Sequence, residues 1–204
     1  MKSWSEPADK KRVSKTVKSL KENGIEAEFV KTGEEAKKMV LDLIPEGSEV
    51  MTMSSVTLDT IGLSEEINKK DSRFKPVKEK LYAMDRQSQA KEMNRLGGAP
   101  EYALGSVHAV TENGSVTIAS NTGSQLGAYA YGALKVIWVV GAQKIVKDTD
   151  EGVKRIYEYV LPLEDKRAKK AYGMGSNVSK LLIINKEIQP GRIKLILVGE
   201  ALGF

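Results

Sequence analysis

Residues 135–141 read KVIWVVG, and every position from Val136 to Val140 is apolar. A strand that is apolar on both sides is typical of the centre of a parallel sheet, because helices cover both faces of such a sheet. This stretch therefore predicts an α/β fold in which residues 135–141 form a central, buried strand.

The segments before this strand alternate between helical and extended patterns. Apolar residues recur at helical spacing in 5–23 and 34–43, and a predicted strand follows each helix, at 25–30 and 49–53. This alternation is typical of doubly wound α/β folds. We expect a Rossmann-like, mostly parallel sheet with helices on both faces, in a single domain of 1–204 with an N-terminal helix at about 5–23.

A hairpin is predicted near 106–119. Its strands are 106–111 and 115–119, and the turn between them contains Asn113-Gly114, a pair typical of tight hairpins. Further patterns predict helices at 58–70 (interrupted by Gly62), 85–95, 126–134, 149–159 and 162–172. Two final strands are predicted at 180–185 and 192–198, joined by Pro190-Gly191. Residues 71–84 show no clear period and are assigned to no element.

Composition limits the classes of function. The 204 residues include 32 basic and 27 acidic side chains, giving a net charge of +5, and no cysteine. Without cysteine this chain cannot by itself hold an iron–sulfur cluster or a thiolate zinc site, so we expect no cofactor in it. Because the two signs of charge are interspersed, we favour a mixed, solvated surface over nucleic-acid binding, and the excess of positive charge suits a small anionic ligand.

Hydropathy argues against a membrane location. The apolar runs are short, whereas a spanning helix needs about 20 apolar residues, and no apolar stretch follows the N-terminus as it would in a signal peptide. We therefore expect a cytoplasmic protein with no membrane partner.

Glu112 is the first candidate for chemistry. A carboxylate on a tight turn has the reactivity of a general base or nucleophile. The turn by itself explains Asn113 and Gly114, however, and we prefer the interpretation of Glu112 as a solvated turn residue.

Two polar loops are candidate anion sites. The first contains Asn121, Thr122, Gly123, Ser124 and Gln125. It opens a predicted helix, and we weigh an anion site there evenly against ordinary helix capping.

The second polar loop contains Ser54, Ser55 and Thr57 and follows a predicted strand, where ligands bind in open α/β sheets. Helix capping is the alternative for it as well. His108 is the single histidine, and we expect a supporting role for it, since one histidine without cysteines cannot build a zinc site.

Several blocks of the sequence, in this order and spacing, resemble the lactate-utilisation (LUD) domain family. They are GSVHAVTENG (105–114), IASNTGSQ (118–125), KVIWVVG (135–141), QKIV (143–146) and the ending from GRI (191–193) to GF (203–204). The resemblance covers about residues 10–204. It adds Lys144, in the QKIV block, to the candidate ligand-binding residues, together with Asn113 and Gly114.

The resemblance implies a fold shared with ribose-5-phosphate isomerases, glucosamine-phosphate deaminases and CoA transferases. It also implies a link to lactate utilisation, beside iron–sulfur and flavin partner subunits. This chain departs from the family pattern at two places. Residues 171–179 contain no cysteine where many relatives have a Cys-rich loop, which argues against a redox role, and Gln125 stands where many relatives carry an arginine.

Three functional alternatives remain at this stage. The chain binds a small anionic metabolite at strand-end loops, or it is an isomerase or CoA transferase that uses Glu112, or it is a non-catalytic assembly subunit of a lactate-oxidising complex. We also weigh a homodimer, because the apolar end 201–204 must dock somewhere and Tyr129 and Tyr131 lie on different faces of their predicted helix, against a helix 126–134 that is wholly internal to the monomer, and we prefer the internal helix.

Overall fold

The computed structural model describes residues 4–204. Its α-helices are α1 (Lys10–Glu22), α2 (Gly33–Leu43), α3 (Val56–Thr60), α4 (Leu63–Asn68), α5 (Val77–Ala83), α6 (Arg86–Gly98), α7 (Thr149–Arg155) and α8 (Leu161–Tyr172). Its strands are β1 (Glu26–Val30), β2 (Glu49–Thr52), β3 (Lys75–Pro76), β4 (Tyr102–Gly105), β5 (Ala109–Thr111), β6 (Val116–Ser120), β7 (Lys135–Gly141), β8 (Ile145–Val146), β9 (Lys180–Ile184) and β10 (Ile193–Val198). Two π-helical turns, Ala128–Gly132 and Ile156–Val160, and one 3₁₀ turn, Ala142–Lys144, complete the regular structure described.

The main sheet has six parallel strands in the order β1-β10-β7-β4-β2-β3. Strand β7 lies inside it, paired to β10 on one side and to β4 on the other. All positions of β7 after Lys135 are buried, as its continuous apolar sequence predicts. The predicted α/β class, the mostly parallel sheet and the central place of 135–141 are confirmed.

Helices cover both faces of this sheet. The side chains of β7 point alternately to the two faces and pack into two separate hydrophobic clusters. Val136, Trp138 and Val140 belong to a cluster that includes Val13 and Leu20 of α1. Ile137 and Val139 belong to another cluster, with Ala36 and Val40 of α2. The two-residue period of the strand therefore divides the core into two layers.

A second, four-stranded sheet has the order β8-β5-β6-β9. The predicted hairpin is its β5–β6 pair, which is antiparallel with Val110 opposite Val116. The predicted final strands 180–185 and 192–198 prove to lie in different sheets, since β9 pairs with β6 and β10 pairs with β7 and β1.

Other boundaries differ from the sequence-based expectation. The N-terminal helix begins at Lys10 and not at residue 5, because the side chain of Asp9 caps it by accepting from the backbone N–H of Arg12 at 2.9 Å. The predicted helix 58–70 is interrupted at Gly62, as expected, and Gly62 has a φ of 64°; the two resulting helices begin at Val56 and end at Asn68. The short strand β4 and the pair β3–α5 had no recognisable pattern in the sequence. No helix in residues 4–204 is both long enough and apolar enough to cross a membrane.

Candidate functional site

Three loops meet at the carboxyl edge of the parallel sheet, around the ammonium group of Lys144. Thr57 follows β2, Ser106 follows β4, and Lys144 follows β7. Lys144 Nζ donates to Thr57 Oγ1 at 2.9 Å and to Ser106 Oγ at 3.1 Å. Because strands β2, β4 and β7 are neighbours in the sheet, their carboxyl ends bring these residues together, at the edge where open α/β sheets bind ligands.

Lys144 is a buried cation without an acidic partner. Its exposed fraction is 2%, and no carboxylate between residues 4 and 204 lies within ion-pair distance of Nζ. Burial, and to a smaller extent the positive charge of Arg155, together lower the pKa of Lys144 to about 7. Near neutral pH this side chain is therefore divided between the ammonium and the free amine.

The C-terminal segment packs against Thr57. Thr57 Oγ1 donates to the carbonyl oxygen of Leu202 at 3.1 Å, and Gln143 Nε2 donates to the carbonyls of Leu202 and Gly203 at 2.9 and 3.2 Å. Gly203 has a φ of 61°, and a Cβ there would lie 2.5 Å from Thr57 Oγ1. The apolar end thus docks within its own chain, which removes one argument for a dimer; the homodimer itself stays a prediction.

The other argument for a dimer concerned Tyr129 and Tyr131, and these two side chains differ in exposure. Tyr129 is buried against Trp138 with ring centroids 5.5 Å apart, whereas Tyr131 is 89% exposed. Only Tyr131 is therefore accessible to a partner.

The serines before Thr57 have separate environments. Ser55 caps α3 by accepting from the backbone N–H of Leu58 at 3.4 Å, as the capping alternative predicted. Ser54 is exposed beside it.

His108 and Arg155 are the other ionisable groups that interact electrostatically with Lys144. Arg155 is fully buried, and its guanidinium donates to the carbonyl of His108 at 2.5 Å and to that of Trp4 at 3.4 Å, while its Nε has no hydrogen-bond partner in the described chain. Burial lowers the pKa of Arg155 to about 10. Burial also lowers the pKa of His108 to about 3, and the charges of Lys144 and Arg155 act in the same direction. His108 is therefore neutral at physiological pH.

The loop 121–125 is held by its own hydrogen bonds. Ser120 Oγ accepts from the backbone N–H of Gly123 at 2.8 Å and donates to Gln125 Oε1 at 3.0 Å, and the backbone N–H of Ser124 donates to Thr122 Oγ1 at 3.3 Å. Asn121 Oδ1 accepts from Ser179 Oγ at 3.1 Å. These hydrogen bonds stabilise the loop and join it to Ser179, the residue before β9.

The same loop is connected to the carboxyl edge through the turn that follows it. The backbone N–H of Tyr129 donates to the carbonyl of Gln125 at 3.2 Å. The hydroxyl of Tyr129 packs so closely on Gly105, at the end of β4, that a Cβ there would lie 1.8 Å from it. Glycine at 105 is therefore required by this contact.

Glu112 has a different environment from Lys144. Its carboxylate accepts from Arg12 Nε at 2.7 Å and from Lys15 Nζ at 2.9 Å, and its backbone N–H donates to the carbonyl of Val146 at 2.9 Å. The hydrogen bond from Lys15 lowers the pKa of Glu112 most, and the one from Arg12 adds to it. Glu112 is thus an ionised side chain that ties the hairpin to α1.

The rest of the hairpin turn also packs on α1. Asn23 Nδ2 donates to the carbonyl of Asn113 at 2.9 Å, and a Cβ on Gly114, whose φ is 83°, would lie 2.5 Å from the backbone of Ser19. Of the residues predicted from sequence, the structure joins Thr57 to Lys144 and gives Glu112, Asn113 and Gly114 contacts along α1 instead.

Ser106, His108 and Arg155 were not among the predicted site residues. Ser106 follows β4 as Ser54 follows β2, so it becomes recognisable once β4 is known to be a strand of the main sheet. Arg155 carried no local signal, since its burial depends on packing between distant parts of the chain. Within residues 4–204, no group of three or more His, Asp or Glu side chains is placed to hold a metal ion.

Comparison with known proteins identifies relatives of the fold. The family model of the LUD domain matches residues 13–198. The crystal structure of a DUF162 family protein from Deinococcus radiodurans superposes with a TM-score of 0.60 at 13% sequence identity, covering 95% of this chain and all of that one. A search of curated proteins returned no match.

Proposed function

This chain belongs to the LUD domain family, and from that premise we propose that it binds a small anionic metabolite at the carboxyl edge of its parallel sheet, with Lys144 as the cationic anchor. Thr57 and Ser106 orient the ammonium group by accepting two of its hydrogens. We include Ser54, Ser55 and the loop 121–125 in the proposed site as further polar residues of the strand-end loops. Carboxylates of lactate metabolism are one metabolite class to test, because the family is linked by name to lactate utilisation.

The observation that supports this proposal most is the burial of Lys144 without a counter-charge. Moving an ammonium group from water into the protein interior is unfavourable by roughly several kcal/mol, even after the protein relaxes around it. Two hydroxyl acceptors solvate the charge only in part, and the nearby Arg155 makes it less favourable still. An anion at this position supplies the missing charge and an acceptor for the third N–H, so the site is complete only with a ligand.

Thermal unfolding in the presence of small carboxylates and phosphates tests this proposal. A ligand at 100 times its dissociation constant stabilises the folded state by about 2.7 kcal/mol, which corresponds to a rise in midpoint of roughly 5–10 °C for a chain of this size. We expect at least one such anion to produce this rise in the wild type, and Lys144→Met to abolish it.

Two features make the Lys144→Met variant informative. Methionine keeps the length of the side chain but removes the unpaired charge, so we expect the ligand-free variant to be at least as stable as the wild type. The matched control is Lys147→Met, because Lys147 is exposed and should leave the ligand response intact. A response that survives in Lys144→Met, or a panel without any response, contradicts the proposal.

The alternative in which Glu112 is a catalytic residue receives less support. Both of its carboxylate oxygens are engaged by cations of α1, and no acid or base chemistry is needed to explain its position.

A further inference from the structure

We propose that His108 is a second ligand-binding residue of this site and donates a hydrogen bond from Nε2 to an oxyanion whose other oxygen is held by Lys144. This inference rests on the proposed function and extends it. It assigns a role to the single histidine of the chain and restricts the ligand to anions with at least two oxygen acceptors, such as carboxylates and phosphates.

The tautomer of His108 is fixed by the backbone. The N–H of Ala119, in β6, donates to His108 Nδ1 at 3.0 Å. A backbone N–H can only donate, so Nδ1 carries no hydrogen, and in the neutral ring the hydrogen lies on Nε2. The backbone N–H of His108 donates to the carbonyl of Thr117 at 3.0 Å, which holds the residue in register beside β6.

The Nε2–H group is available to a ligand. The side chain is only partly buried, and Nε2 makes no hydrogen bond to any residue from Trp4 to Phe204. His108 also lies two residues after Ser106, the partner of Lys144, and beside Ala119 of β6, the strand that precedes the loop 121–125.

The surrounding charges favour an acceptor and disfavour a further cation. Lys144 and Arg155 are the charged groups that act on the imidazole, and both are positive. Burial first, and these two charges second, lower the pKa of His108 and keep the ring neutral, so it serves as a hydrogen-bond donor and does not add a third buried charge. The third N–H of Lys144 Nζ and the Nε2–H group of His108 are the two donors that we assign to the oxyanion, because the Ser106 hydroxyl donates to the carbonyl of Val107 and accepts from Lys144.

Nitrogen NMR tests the inference directly, because the chain has one histidine. Protein labelled with [15N]histidine should show an unprotonated Nδ1 and a protonated Nε2, without titration between about pH 5 and 8. Inorganic phosphate and acetate are the probes, and chloride at equal ionic strength is the control. We expect at least one oxyanion to shift the Nε2 signal more than the Nδ1 signal, chloride to shift neither, and Lys144→Met to remove the effect.

Two variants separate the donor from its support. In His108→Asn the amide oxygen replaces Nδ1 as acceptor for Ala119 but no donor remains at the Nε2 position, whereas His108→Gln places an amide N–H near Nε2. Loss of a hydrogen bond to a charged ligand corresponds to about a tenfold to hundredfold weaker affinity. We expect this loss in His108→Asn and a smaller one in His108→Gln, with thermal midpoints of the ligand-free variants near that of the wild type.

The outcomes distinguish this inference from the proposed function. An imidazole that titrates near its ordinary pKa, or an oxyanion that stabilises the protein through Lys144 while Nε2 stays unmoved, overturns the role of His108 alone. Probes that neither raise the thermal midpoint nor shift Nε2 count against both proposals.

Discussion

Glu112 is placed between two cations of α1, and this contact gives it a testable structural role. Its side chain is 18% exposed, and its carboxylate bridges Arg12 and Lys15. Partly exposed ion pairs contribute about 0.2–1 kcal/mol each. We therefore expect Glu112→Gln to lower the free energy of unfolding by about 1 kcal/mol, measured by urea denaturation, and to leave oxyanion binding unchanged.

A matched substitution controls for general surface effects. Glu22 forms an exposed ion pair with Lys18 at 3.7 Å, and Glu22→Gln should have no measurable effect. If Glu112→Gln instead keeps full stability and eliminates ligand binding or turnover, Glu112 belongs to the functional site and the isomerase or transferase alternative returns.

Among the elements, the C-terminal segment 200–204 has the clearest energetic role. Leu202 is 4% exposed and belongs to the second core cluster, and its carbonyl accepts from both Thr57 and Gln143. Leu202→Ala removes buried methyl groups and should lower the free energy of unfolding by about 2–4 kcal/mol, measured by chemical denaturation.

Leu134→Ala is the control for this element, because Leu134 is 65% exposed. Its effect should stay within about 0.5 kcal/mol. Equal effects of the two substitutions would show that the segment does not dock on the sheet in solution.

For the whole molecule, Lys144 makes stability depend on pH. Its folded pKa is about 7, while an unfolded lysine titrates at about 10.4. Between these values the unfolded chain binds more protons, so the free energy of unfolding rises as pH increases from about 7 to about 10.4. Below about pH 7 the unfavourable contribution of the buried ammonium is fully present.

Comparison with Lys144→Met isolates this contribution. Urea denaturation at about pH 6, 8 and 9.5 should show the wild type gaining stability relative to the variant as pH rises. A saturating oxyanion should reduce the gain, because it favours the ammonium form. A difference between the two proteins that stays constant over this range would mean that Lys144 is not a desolvated cation.

Local patterns in the sequence were enough to predict several elements. The apolar run 135–141 predicted the central strand, Asn113-Gly114 predicted the hairpin turn, and Gly62 predicted the break between α3 and α4. Each of these signals depends on residues within a few positions of one another. The strand β4 escaped prediction because its sequence, YALG, contains no β-branched residue and does not alternate between apolar and polar positions.

By itself, then, the sequence determined the α/β class, the central strand and the family resemblance, since these depend on local periodicity and on the order of short blocks. Only the tertiary structure decided how the strands divide between two sheets and which polar residues meet. Lys144 donates to Thr57, which is 87 residues away in the sequence, and Glu112 accepts from Arg12, which is 100 residues away. The character of an ionisable side chain depends on the charges and burial around it, and for Lys144 that environment comes from strands that are distant in the chain and adjacent in the sheet.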